Sequence, residues 1–123
     1  MKTCLIVDDS SVIRKVTRRI LEKQNYMVLE AASGQEAVER CQAGMPDTII
    51  VDWLLPEMEG AELISALRHA QGDRRPGIIY CTSENDQEDI GRAISIGADT
   101  VLMKPFDRRA LSASMAAAEA ASI

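Results

Sequence analysis

Four apolar runs in this chain stop at polar residues whose types could together hold a metal ion. The run 4–7 stops at Asp8 and Asp9, 49–51 at Asp52, 78–81 at Thr82, and 100–103 at Lys104. Runs of this kind read as buried strands, and in an open parallel α/β sheet the carboxyl ends of the strands form the edge where ligands bind. Three carboxylates, a hydroxyl and an ammonium spread over nearly a hundred residues therefore converge. Two carboxylates about 4 Å apart repel by roughly 4 kcal/mol at an effective dielectric near 20, so the acidic group calls for a cation. Oxygen donors without a nearby His or Cys suit a hard divalent ion, and two carboxylates with open water positions suit Mg²⁺ better than Ca²⁺. His69, the only histidine, falls on the third helix, away from this edge.

The elements that position these residues follow from the intervening segments. Ser10 or Ser11 can cap a first helix, in which Val12, Ile13, Val16, Ile20 and Leu21 recur at helical spacing while Arg14, Lys15, Arg18, Arg19 and Lys23 make the other face basic. A strand around Met27, Val28 and Leu29 follows. Ser33 and Glu36 then have the spacing of a capping box for a second helix through Ala37, Val38 and Cys41. Segment 44–47 breaks that helix and launches the central strand. Pro56 keeps 53–56 from continuing as a central strand, because it has no N–H for a ladder. Leu63, Ile64 and Leu67 mark a third helix beginning near Gly60. Asp86, Glu88 and Asp89 suit the first turn of a fourth, with Gly97 at its end, and Asp107 can cap a fifth through Leu111 and Met115. Met103 and Met115 read as core fillers. The order βα, five times over, predicts an α/β fold with a doubly wound five-stranded parallel sheet.

The 123 residues make one domain, large enough to bury a core without disulfides or structural metal. A net charge of −5 argues against a nucleic-acid partner, and no apolar stretch approaches the length of a membrane span, so a cytoplasmic location is expected. Cys4, Cys41 and Cys81 lack metal-ligand spacing and read as reduced residues in or near the core.

The pair Asp8-Asp9, the spacing of Asp52, Pro56 and Gly60, the pair Thr82-Ser83, and Lys104-Pro105-Phe106 together resemble the receiver domain of two-component response regulators, in layout the single-domain chemotaxis regulators of the CheY type. The resemblance covers essentially residues 1–123. It implies a flavodoxin-like (βα)₅ fold with strand order 2-1-3-4-5. It implies Asp52 as the phosphorylated residue, accepting a phosphoryl group from a sensor histidine kinase as an acyl phosphate. Asp9, Asp52 and the backbone carbonyl of Leu54 would ligate Mg²⁺, with Asp8 acting mainly through water. Lys104, joined to Pro105 by a cis bond, and Thr82 would contact the phosphoryl group. A chain ending with the fifth helix would send its output to a partner protein through helix four, strand five and helix five. Such a protein is not an enzyme in the ordinary sense, since it catalyses only its own phosphorylation and dephosphorylation.

This sequence departs from the family pattern twice. Val101 stands where many receivers have Tyr or Phe three residues before the lysine. Tyr80, on the same strand face as Thr82, reads as sheet packing, with a substitute switching role as the sharper alternative. Leu54 stands where fast-decaying chemotaxis regulators have a polar side chain that positions attacking water, which predicts slow self-dephosphorylation. The functional expectation is a phosphorylation-dependent switch in chemotaxis or motility. Its alternatives are a phosphorelay or cell-cycle intermediate and a phosphate sink. An aspartyl-phosphate phosphohydrolase would need an Asp-x-Asp nucleophile motif that residues 52–54 lack, and a nucleotide-binding domain would need a glycine loop that residues 7–11 lack.

Overall fold

Strands and helices alternate along the chain in the computed structural model, which describes residues 1–121. β1 (Lys2–Val7) leads into α1 (Ser11–Lys23), β2 (Tyr26–Ala31) into α2 (Gly34–Ala43), and β3 (Thr48–Asp52) toward α3 (Gly60–Ala70). Between the last two lie β4 (Leu54–Leu55) and β5 (Met58–Glu59), which pair antiparallel in a small separate ladder. β6 (Gly77–Thr82) then leads into α4 (Gln87–Ile96), and β7 (Thr100–Met103) into α5 (Arg108–Ala121). The main sheet has the order β2-β1-β3-β6-β7 with every pairing parallel, which is the expected 2-1-3-4-5 once β4 and β5 are set aside.

Both sheet faces are covered, which explains the unbroken apolar strands. Leu5, Val7, Ile49, Val51, Ile78 and Tyr80 point to one side and pack with Leu63, Ile64 and Leu67 of α3. Cys4, Ile6, Ile50, Ile79 and Cys81 point to the other, toward Leu21 of α1 and Leu111 and Met115 of α5. All three cysteines are free and buried. Burial pushes the thiols of Cys41 up to about 11 and Cys81 up to about 12, so they remain protonated and inert as core residues.

The helix starts follow the sequence signals. Ser10 Oγ accepts from the Ile13 amide, Ser33 Oγ from Glu36, Asp86 Oδ1 from Glu88 and Asp89, and Asp107 Oδ1 from Ala110. Gly97 closes α4 at φ +137°, a conformation that favours glycine.

Two packing expectations are corrected. Val12 and Val16 of α1 are 68% and 52% exposed, and the buried positions of the helix belong to Thr17 and Leu21. The Thr17 hydroxyl donates to the Ile13 carbonyl at 2.7 Å, so a polar side chain is satisfied inside the helix and can face the core. Met103, expected in the core, is 39% exposed because it ends β7, an edge strand. Met115 is buried as expected.

Candidate functional site

Strand register assembles the site. Val7 pairs with Val51, so Asp8 emerges beside Asp52; Asp52 pairs with Cys81, just before Thr82; Thr82 pairs with Met103, just before Lys104. The four strand ends thus deliver the polar residues to one edge, as the sequence predicts. Asp8 and Asp52 are buried, Asp9 is exposed, Lys104 is half-buried and Thr82 has no accessible surface.

Lys104 Nζ donates to Asp8 Oδ2 at 2.8 Å and lies 2.7 Å from Asp52 Oδ1. The second contact is an ion pair at hydrogen-bond distance, so the two buried aspartates share one ammonium. Burial pushes the Asp52 carboxyl pKa up, and the charges of Asp8 and Asp9 push the same way; Lys104 pulls it down without cancelling them. For Lys104, burial opposes the ammonium, but its hydrogen bonds to Asp52 and Asp8 outweigh that and raise its pKa. Lys104 is therefore a permanent cation here.

Asp8, Asp9 and Asp52 each offer one carboxylate oxygen within 4.8 Å of the others. This all-oxygen donor set, with no His or Cys in it, fits a hard divalent cation. Arg14 adds a feature that the sequence analysis assigned only to the basic face of α1. Its Nη1 donates to the Asp8 carbonyl at 2.6 Å and its Nε to Glu30 Oε1 at 2.9 Å. Its place one turn after the Ser10 cap was the only signal for this.

The loops around Asp52 are pinned by the main chain. Trp53 N–H donates to the Cys81 carbonyl at 2.8 Å, and Gly60 N–H returns to the Trp53 carbonyl at 2.9 Å. Trp53 is half-buried next to the site, whereas Leu54 is 57% exposed. Thr82 Oγ1 accepts from the Glu84 amide at 3.1 Å, so this hydroxyl holds the start of the β6–α4 loop. The Lys104–Pro105 bond is cis, as the resemblance implies. His69 lies on the exposed part of α3 with its ring Nδ1 2.7 Å from the Ser65 carbonyl, outside this constellation.

A parallel sheet that gathers an acidic triad, a buried threonine and a lysine along one edge defines a class, and the comparisons agree with it. Residues 4–116 match the model of the response regulator receiver domain. The chain belongs to this family, as a CheY-like receiver domain of a two-component response regulator. It is 36% identical over 107 residues to the chemotaxis protein CheY of Halobacterium salinarum, covering 87% of this chain and 88% of that one. It is 35% identical to the phosphate regulon transcriptional regulatory protein PhoB of Pseudomonas aeruginosa, covering 94% of this chain but only 51% of that longer protein. Among solved structures, the chemotaxis response regulator CheY4 of Vibrio cholerae superposes with a TM-score of 0.89 at 32% identity, covering 96% of this chain and 98% of that one.

Proposed function

We propose that this protein is a Mg²⁺-dependent phosphorylation switch in which Asp52 accepts a phosphoryl group from a histidine kinase. The observation that carries this reading is the buried Asp52 carboxylate, 2.7 Å from the Lys104 ammonium and within reach of the Asp8 and Asp9 carboxylates. Asp52 attacks phosphorus, the P–N bond to the donor imidazole breaks, and an acyl phosphate forms on Asp52. Asp9, Asp52 and the Leu54 carbonyl would hold Mg²⁺, with Asp8 nearby, and the ion would supply neutralisation of charge on the phosphoryl oxygens.

The chain's own groups do the rest. Lys104, already paired with both buried aspartates, shifts to a phosphoryl oxygen as negative charge builds on Asp52. Thr82 exchanges its bond to the Glu84 amide for one to the phosphoryl group and draws the β6–α4 loop inward. Output passes to a partner protein through α4, β7 and α5, where Ile94 and Met103 are exposed. Phosphodonor docking falls to α1, whose exposed Val12 and Val16 stand among basic residues that suit an acidic histidine-bearing helix.

The chemotaxis reading rests on similarity to the two chemotaxis proteins above; a phosphorelay step or a phosphate sink would use the same site. A cytoplasmic setting fits a chain in which, among the described residues, no helix is long and apolar enough to cross a membrane. The experiment is a titration of Trp53 fluorescence with Mg²⁺ and then acetyl phosphate. A saturable Mg²⁺ response followed by a donor-dependent change supports the reading, and no response to either, with no phosphoprotein formed, counts against it.

A further inference from the structure

Asp8 is held at every polar atom. Its amide donates to the Ala31 carbonyl at 3.1 Å, Oδ1 accepts from the Ser10 amide at 2.9 Å, Oδ2 accepts from Lys104, and its carbonyl accepts from Arg14. Asp9 is the opposite case. It is exposed, and its carboxylate has no hydrogen-bond or ion-pair partner among the described residues. The main chain that carries Asp9 therefore sets where its side chain starts, and so which of its rotamers reach Asp52.

The Asp8 carbonyl belongs to the planar peptide that joins Asp8 to Asp9, so fixing that oxygen fixes the plane and the Asp9 Cα. Arg14 holds the oxygen with its Nη1 while its Nε is anchored at Glu30, near the end of β2. The guanidinium is rigid and planar, so the two bonds work as one strut from the sheet to the loop. Glu30 is itself braced, with Oε2 accepting from Arg18 at 2.8 Å and its carbonyl from Arg40 at 3.3 Å. The Arg14 side chain is only 16% exposed, so water has little access to replace these bonds.

We infer that Arg14 is a positioning residue of the metal site, orienting the Asp8–Asp9 peptide so that the Asp9 carboxylate meets Asp52 around the cation. This rests on the proposed Mg²⁺ site. The inference has a sign that charge alone would reverse. Arg14 is a cation near three carboxylates, so removing it should, by Coulomb's law alone, tighten Mg²⁺ binding. Loss of positioning should weaken it, by about tenfold as for other groups that orient metal ligands.

The test is calorimetric titration of Mg²⁺ into wild type, Arg14→Met and Glu30→Gln at one ionic strength, with thermal midpoints recorded without metal. Weaker binding in Arg14→Met, with a smaller loss in Glu30→Gln, which keeps Arg14 but replaces its charged anchor with a neutral acceptor, is the expected result. Unchanged or tighter binding in Arg14→Met overturns the inference, as does a lowered midpoint with an unaltered dissociation constant. Should Arg14→Met fail to fold, unchanged affinity in Glu30→Gln overturns it. Wild type that takes up no Mg²⁺ overturns the metal-site reading and this inference with it, whereas wild-type binding matched by both variants removes only the role of Arg14.

Discussion

The hydroxyl of Tyr80 donates a 2.6 Å hydrogen bond to Asp89 Oδ2, tying β6 to the first turn of α4. Tyr80 is 1% exposed, so its ring is sheet packing as expected, but its polar end reaches the helix that follows Thr82. Burial and the Asp89 carboxylate raise the phenol pKa, so it stays a donor. Its register partner is Val101, the position where many receivers carry an aromatic. Asp89→Ala should cost about 1–3 kcal/mol because it leaves a buried hydroxyl unpaired, and Tyr80→Phe about 1 kcal/mol, since Asp89 can turn to water. Urea denaturation of both and of the double variant separates the bond from the packing; single-variant costs that simply add in the double variant would contradict this account.

Asp52 should make the metal-free fold less stable as it ionises. Its pKa is raised in the folded state by burial and by Asp8 and Asp9, so the folded protein binds that proton more tightly than the unfolded chain. That contribution is fully present below the unfolded value of about 3.9 and is lost as pH rises through the folded value. Asp52→Asn should therefore melt a few degrees higher than wild type at neutral pH without metal, and the difference should close on acidification. Mg²⁺ should raise the wild-type midpoint and leave that of the variant nearly still. Thermal scans with pH and Mg²⁺ varied separately check both statements.

Two glycines give opposite predictions. A Cβ on Gly60 would lie 2.3 Å from the Asp52 carbonyl oxygen and 3.0 Å from the Trp53 Cα, both backbone atoms that cannot turn aside. Gly60→Ala should cost roughly 1–3 kcal/mol and slow phosphorylation by displacing the Asp52 strand end. Gly91 in α4 has nothing within 4 Å of its virtual Cβ, and Gly91→Ala should stabilise by about 1 kcal/mol through helix propensity. Denaturation midpoints of the two variants decide the matter.

Leu54 is exposed at the mouth of the site and cannot orient a water molecule. Leu54→Asn should shorten the lifetime of the phosphorylated form several-fold, measured as loss of acyl phosphate after donor removal. An unchanged lifetime would rule out this residue as the cause of slow decay.

The sequence shows the site more clearly than it shows what supports it. Asp8, Asp9, Asp52, Thr82 and Lys104 were legible because each terminates an apolar run, and parallel register then lines them up without further information. Val12 and Val16 misled because helical spacing records which residues could be buried, and Thr17 satisfies its hydroxyl locally and takes the buried place. The β4–β5 ladder is too short to leave a periodic trace. The bonds from Arg14 to Asp8 and from Tyr80 to Asp89 join side chains across elements, and only the folded geometry brings those partners together.

The most direct test of the central claim is intact-protein mass spectrometry after incubation with acetyl phosphate, with and without Mg²⁺, on wild type and Asp52→Asn, under conditions that preserve acyl phosphates. One phosphoryl group on wild type only when Mg²⁺ is present, located at Asp52 and absent from the variant, is the predicted result. Equal labelling of Asp52→Asn, or labelling of wild type that chelation of Mg²⁺ does not reduce, would contradict the assignment of Asp52 as the metal-dependent acceptor.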